Sequence, residues 1–202
     1  MTTIAELPGG FADKVLSAQS TFRSVMEAMA RPGSVQRVIA SVGTPPPMMR
    51  GVAAIALTLF DHDTPVWLDE KMSQTIDVAR WLKFHSGAPI VADTAICHFA
   101  LIADPAALPD LDRFSLGSNE YPDRSTTLIL QVASLTQGPA SQLRGPGIDG
   151  SAVLNATFEP KDLFDRLAIN ATLFPRGIDV VLVADDAIVA IPRTTRLVAH
   201  GG

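Results

Sequence analysis

Apolar positions along this chain recur with a period near 3.6 in some stretches and near two in others, and the changes of period mark its elements. From about residue 14 to residue 30, Val15, Phe22, Val25, Met26 and Met29 fall on one face at helical spacing, behind Asp13 as a capping side chain. Arg31-Pro32-Gly33 ends this helix, because proline cannot continue the ladder. "SVQRVIA" then alternates as a strand. Pro45, Pro46 and Pro47 mark the start of a second helix, apolar nearly all round from Met48 to Phe60 and therefore expected to be deeply buried. It ends at Asp61-His62-Asp63-Thr64-Pro65, and "VWL" follows as a short strand. A third helix is expected from Ser73 to His85, with Ile76, Ala79, Trp81, Leu82 and Phe84 inside.

"APIVAD", "AICHFALIAD" and the β-branched "STTLILQVASL" read as strands. "DPAALPDLDRF" reads as irregular or briefly helical, and "LGSNEYPDR" as a loop rich in turn formers. Residues 136–150 read as loop, short strand, loop. Glu159-Pro160 opens a helix running to about Phe174. The chain closes on two Ile/Val/Leu runs, residues 178–184 and 187–191, separated only by Asp185 and Asp186. That spacing is a hairpin, and its composition demands burial on both faces. Helices and strands interleave while the last pair is antiparallel, so the expected fold is α/β with a mixed sheet, one domain over residues 1–202. The loop near residues 116–125 is the one internal seam.

Hydrophobic residues make up 47% of the 202 and charged residues 18%. Mean hydropathy is +0.24. A core of this size absorbs much of that, and a subunit interface is the natural place for the rest. Net charge is −5 with no Lys/Arg run, which argues against duplex nucleic acid. The longest apolar stretch, residues 51–60, is too short to cross a bilayer. The N-terminal "MTTIAELPGGFADKV" has neither the basic nor the apolar region of a secretion signal. The single cysteine, Cys97, allows no intrachain disulfide and fits a cytoplasmic chain, in which the sequons at Asn155 and Asn170 are silent.

Candidate chemistry is sparse. His62, His85, His98 and His200 are scattered without a metal-binding frame, and Cys97 and His98, adjacent on an expected strand, would point to opposite faces. The Asp61-His62-Asp63 trio is the best remaining ligand candidate, but its spacing matches no ligand frame and a turn before Pro65 explains it better. No nucleophile elbow is present, and nothing surrounds Lys14, Lys71, Lys83 or Lys161 that would depress an amine for Schiff-base work. "LRGPGI", carrying Arg144, lacks the order of a phosphate loop and reads as a turn. In the terminal "PRTTR", Pro192 ends the last strand and projects Arg193, Thr194 and Thr195 at a sheet end. They could bind an anion or dock a partner through a charged fork and two hydroxyls, or simply cap the strand. Physics alone leaves these readings even.

Seven segments in order carry a resemblance that spans nearly the whole chain: "FRSVMEAMARPG", "LTLFDHDTPVWL", "FHSGAPIV", "TLILQVASL", "RGPGI", "GIDVVLV" and "AIPRTT". In these the chain resembles the H subunit of the bacterial carbon–phosphorus lyase core, the PhnH family of phosphonate metabolism proteins. The resemblance is weakest over residues 108–122 and 151–170, and it gives Arg31 no role. It implies a mixed sheet flanked by helices in three layers, like the large domain of PLP-dependent transferases but without PLP. It implies a homodimer that works with G, I and J subunits. Their assembly transfers a phosphonate to the ribose of ATP, giving a ribose 1-phosphonate 5-triphosphate. Iron–sulfur and SAM chemistry is then expected on a partner subunit, and no catalytic residue is carried over to this chain. Transferase or lyase activity is expected of the complex rather than of this polypeptide alone. Two other readings compete: a stand-alone nucleotide or phosphonate binder built from Asp61, Asp63, Arg144 and Arg193, and a scaffold that binds no small molecule.

Overall fold

The computed structural model describes residues 7–157 and 159–198. His200 and the first six residues of the N-terminal stretch lie outside them. The helices are α1 (Lys14–Ala30), α2 (Arg50–Leu59), α3 (Glu70–Ser73), α4 (Ile76–Ser86) and α5 (Leu163–Thr172). The strands are β1 (Gln36–Arg37), β2 (Val66–Leu68), β3 (Ile90–Val91), β4 (Phe99–Ile102), β5 (Thr127–Gln131), β6 (Ser141–Arg144), β7 (Ala152–Leu154), β8 (Asp179–Ala184), β9 (Ala187–Ile191) and β10 (Arg196–Val198). Seven of them form one mixed sheet in the order β1-β9-β8-β5-β4-β2-β3, in which β9 alone runs against the others. The expected α/β class and mixed sheet are therefore present. A second sheet, β10-β6-β7, is antiparallel and was not expected.

Alternation along the central strands divides the core in two. Leu101, Ile129, Val181, Val183, Ile188 and Ala190 face a cluster completed by α1, α2 and α4, through Val25, Ala28, Ala53, Ile55, Trp81 and Leu82. Ala100, Ile102, Leu128, Leu130, Val180, Leu182, Val189 and Ile191 face the other way. There they meet Leu163 and Leu167 of α5, Leu143 of β6, Leu154 of β7, and Leu108, Leu111 and Phe114 of the irregular segment. The closing hairpin is thus buried on both faces, as its composition requires. Each buried Val, Leu or Ile contributes about 1.5–3 kcal/mol. The ion pairs at the hairpin tip, Arg50–Asp185 and Arg37–Asp186, are exposed and screened by solvent, so packing rather than charge places the hairpin.

Local details depart from expectation in instructive ways. Asp13 caps α1 by accepting from Leu16 N at 3.0 Å, but the buried face is Thr21, Val25 and Ala28, while Val15, Phe22 and Met26 are exposed. Small residues win the inner face because α1 lies close against the Ala-rich α2. The third helix is broken at Gln74-Thr75 into α3 and α4, and Ile76 and Phe84 face solvent while Val78, Trp81 and Leu82 are inside. Cys97 is not on a strand; it follows a 3-10 turn at Thr94–Ile96, although it is buried and His98 exposed, so the two still diverge. The last long helix starts at Leu163, three residues after Pro160. Asn170 is buried, with its amide exchanging two hydrogen bonds with the backbone of Ile178, at 3.0 and 2.9 Å.

Candidate functional site

In an open α/β sheet the binding crevice lies beyond the carboxyl ends of the strands, where successive connections leave in opposite directions. Here that point is between β2 and β4. The chain leaves β2 towards β3 on one side and leaves β4 towards β5 on the other. Asp69, the residue after β2, is buried and spans the gap. One carboxylate oxygen accepts from Met72 N, capping α3, and the other from Ala103 N and Asp104 N just past β4, all at 2.8 Å. Gln131, at the end of β5, accepts from Met49 N at 2.6 Å and donates to Pro47 O at 3.0 Å, which fixes the start of α2 over the same edge. The resulting cleft of about 440 Å³ is lined by Lys71, Asp104, Gln131, Thr157 and Glu159 among apolar neighbours. It offers an amine, two carboxylates and an amide. Its hydroxyl, on Thr157, is engaged with Ser134. These groups can orient a polar ligand.

The residues singled out in the sequence lie elsewhere, at the amino edge. Asp61 braces its own turn: its carboxylate accepts from Asp63 N at 2.9 Å and from the Thr64 hydroxyl at 2.7 Å. Those two bonds, the Thr64 bond foremost, hold its carboxyl below the usual range. The Asp63 carboxylate lies 3.3 Å from the exposed His62 imidazole. Among the described residues no group of three His, Cys, Asp or Glu side chains is placed to hold a metal ion. The turn reading fits Asp61, whose carboxylate holds the turn; Asp63 contributes its backbone N–H to it. β2, which follows them, lies three strand spacings from β8, roughly 14 Å, so they are not brought to the terminal motif.

Arg193 is an internal brace. Its Nε and Nη2 grip the Asp179 carboxylate at 3.1 and 2.5 Å. Nη1 donates to Pro122 O at 2.7 Å and Pro175 O at 3.4 Å, and Nη2 also to Ser125 Oγ at 2.6 Å. All five of its N–H donors are engaged, and the two charged side chains are only 13% and 14% exposed. The strand-capping reading of Arg193 fits this geometry: it ties the exit of β9 to the start of β8 and to the loop before β5.

Arg144, Thr194 and Thr195 do come together. β10 pairs with β6 so that Arg196 lies directly opposite Arg144. Gly145 packs so closely that a Cβ there would stand 2.9 Å from Thr194 O. Gly147, at φ +80°, would place a Cβ 2.0 Å from Ala30 O, and Gly33 N donates to Ala190 O at 3.3 Å. Three separate motifs, "ARPG", "RGPGI" and "AIPRTT", thus converge on one corner. Next to it is a cleft of about 590 Å³ lined by Arg144, Gly145, Pro146, Ala171, Phe174, Thr194 and Arg196. Thr195 is buried, its hydroxyl without a hydrogen-bond partner. Asp69, Gln131, Phe174 and Arg196 were not singled out from sequence. A strand-terminal Asp in "VWLDE" was a signal for the first; the other three depend on pairing and packing.

Cys97 takes no part in either cleft. Its thiol donates to Thr94 O at 3.3 Å, and burial pushes its titration above the usual range. A thiol-disulfide reagent at about pH 8 should leave the native chain unlabelled for many minutes and label it fully in denaturant. Prompt labelling of native protein would show that this region opens.

A family model described as "Bacterial phosphonate metabolism protein (PhnH)" matches residues 9–198. The chain is 44% identical over 189 residues, 94% of each chain, to the "Alpha-D-ribose 1-methylphosphonate 5-triphosphate synthase subunit PhnH" of Rhizobium meliloti (strain 1021). It is 28% identical over 207 residues, 99% of this chain and 97% of the other, to the "Putative C-P lyase subunit protein HtxG" of Stutzerimonas stutzeri. With the match running from the segment before α1 to the last described strand, this chain belongs to the PhnH family of bacterial phosphonate metabolism proteins.

Proposed function

We propose that this chain is a non-autonomous subunit of the assembly that makes α-D-ribose 1-methylphosphonate 5-triphosphate from ATP and methylphosphonate in organic phosphonate catabolism. The observation that carries this reading is the 44% identity, along 94% of both chains, to a synthase subunit. The carboxyl-edge cleft supports it, since it holds polar groups that can orient a ligand.

The proposal gives the chain no PLP. All four lysines are exposed, whereas a Schiff-base lysine needs a desolvated amine. Iron–sulfur and SAM chemistry falls to a partner subunit; the one thiol here is buried in the second core cluster. The mixed sheet covered on both faces supports kinship with the large domain of PLP-dependent transferases. The working form is a cytoplasmic homodimer bound to G, I and J subunits, and the exposed stripe Val15, Phe22 and Met26 on α1 is apolar surface available for such contacts. Among the described residues no helix is long and apolar enough to cross a membrane.

Purified alone, the chain should release no adenine from ATP in the presence of methylphosphonate. Co-expressed with the G, I and J subunits, it should co-elute with them on size exclusion and the reaction should appear. Adenine release by the isolated chain, or elution apart from all three subunits, would overturn the proposal.

A further inference from the structure

Arg144 ends β6 and Arg196 begins β10, directly opposite each other on the last rung of that ladder. Opposed residues of an antiparallel pair have Cβ atoms about 4.5–5.5 Å apart, and like charges there repel. The chain has 21 Asp and Glu against 16 Lys and Arg, so carboxylates are plentiful, yet neither guanidinium has an ion pair or hydrogen bond among the described residues. The contrast with Arg193, whose donors are all engaged a few residues away, is sharp. Both of these arginines line the 590 Å³ cleft, no carboxylate lines it among the described residues, and the volume lies in the range of small-ligand sites. Thr194 adds a hydroxyl with no partner among the described residues. Phe174, 63% exposed, supplies an aromatic wall from the chain just past α5. The carboxyl end of α5 adds about half a negative charge, against two whole positive ones.

We propose that this cleft is a binding site for a phosphate chain of two or more phosphoryl groups, one group held by Arg144 and the next by Arg196. A guanidinium grips two oxygens of one phosphoryl group in its planar fork, so two opposed guanidinium groups match two neighbouring phosphoryl groups better than a single one. An occupying polyanion also relieves the repulsion between the pair. Thr194 donates to a bridging or terminal oxygen. The site is a property of the isolated chain and stands whether or not the chain works only within an assembly.

Calorimetric titration of the full chain with sodium tripolyphosphate, at about 50 mM salt to limit screening, should give one site per chain. Arg144→Gln and Arg196→Gln should each weaken binding by about tenfold or more. Arg23→Gln, on α1 outside the cleft, should leave it unchanged. Without ligand, the Arg144→Gln chain should melt no lower than the parent, because the substitution removes a like-charge contact. Orthophosphate should bind at least about tenfold more weakly than tripolyphosphate. Comparison with ATP identifies the source: tighter binding that Phe174→Ala returns to the tripolyphosphate level marks a nucleotide, and equal binding marks the bare phosphate chain. The proposal is overturned by absence of tripolyphosphate binding, by binding that survives both arginine substitutions together, or by orthophosphate binding as tightly as tripolyphosphate.

Discussion

Arg193→Ala is expected to destabilise the chain by about 3–5 kcal/mol, because it strands a carboxylate that is only 14% exposed. Asp179 would lose both guanidinium bonds and keep only Arg193 N, which donates to it at 2.8 Å. Pro122 O, Pro175 O and Ser125 Oγ would lose their donor at the same time. At this chain length the loss lowers Tm by roughly 6–20 °C. Arg193→Lys should recover little, since a single ammonium cannot span the carboxylate, two carbonyls and a hydroxyl. Thermal and urea melts of Arg193→Ala, Asp179→Asn and the double variant measure the coupling. The double variant should be more stable than the sum of the single losses predicts. Melts within 2 °C of the parent for Arg193→Ala would show that the brace contributes nothing. A large loss of this kind also means that any assembly defect of Arg193→Ala reports folding before it reports contact with a partner.

Asp69→Ala is the second large effect. Three backbone N–H groups, of Met72, Ala103 and Asp104, lose their acceptor at once. A buried donor left unsatisfied costs about 1–3 kcal/mol. Water entering from the adjoining cleft offsets part of the cost, so the expected loss is about 2–4 kcal/mol, or roughly 4–16 °C in Tm. Hydrogen exchange locates it: the amides of Ala103 and Asp104 should lose protection while those of β8 keep theirs. Asp69→Asn retains one acceptor oxygen and should fall between. Unchanged exchange at 103 and 104 would show that the carboxylate does not hold the β2–β4 edge.

The fold was legible wherever a single element carried its own signal. "STTLILQVASL", "VWL" and the closing hairpin declared themselves by β-branched runs, and the deep burial of α2 by apolar residues on every side. The faces of α1 and α4 were legible only in part. On α1, packing against α2 takes Thr21 and Ala28 and leaves Phe22 out; on α4, Trp81 and Leu82 are inside as expected while Ile76 and Phe84 are out. The small sheet escaped notice because its strands are three or four residues long and two of them lie where the hydrophobic pattern is weak. "PRTTR" was recognised as unusual, but its parts divide: Arg193 turns inward and Arg196 outward, a distinction made by Asp179 and by pairing with β6.

Composition and period by themselves determined an α/β chain with a mixed sheet and a hairpin buried on both faces, because burial and secondary structure follow from local patterns of apolar side chains. Tertiary structure alone decided that Arg193 is braced while Arg144 and Arg196 face each other across a cleft, and that a lone Asp after "VWL" holds the switch point. Those outcomes depend on partners tens of residues away in sequence, and no local pattern encodes which distant carboxylate, carbonyl or strand a side chain will meet.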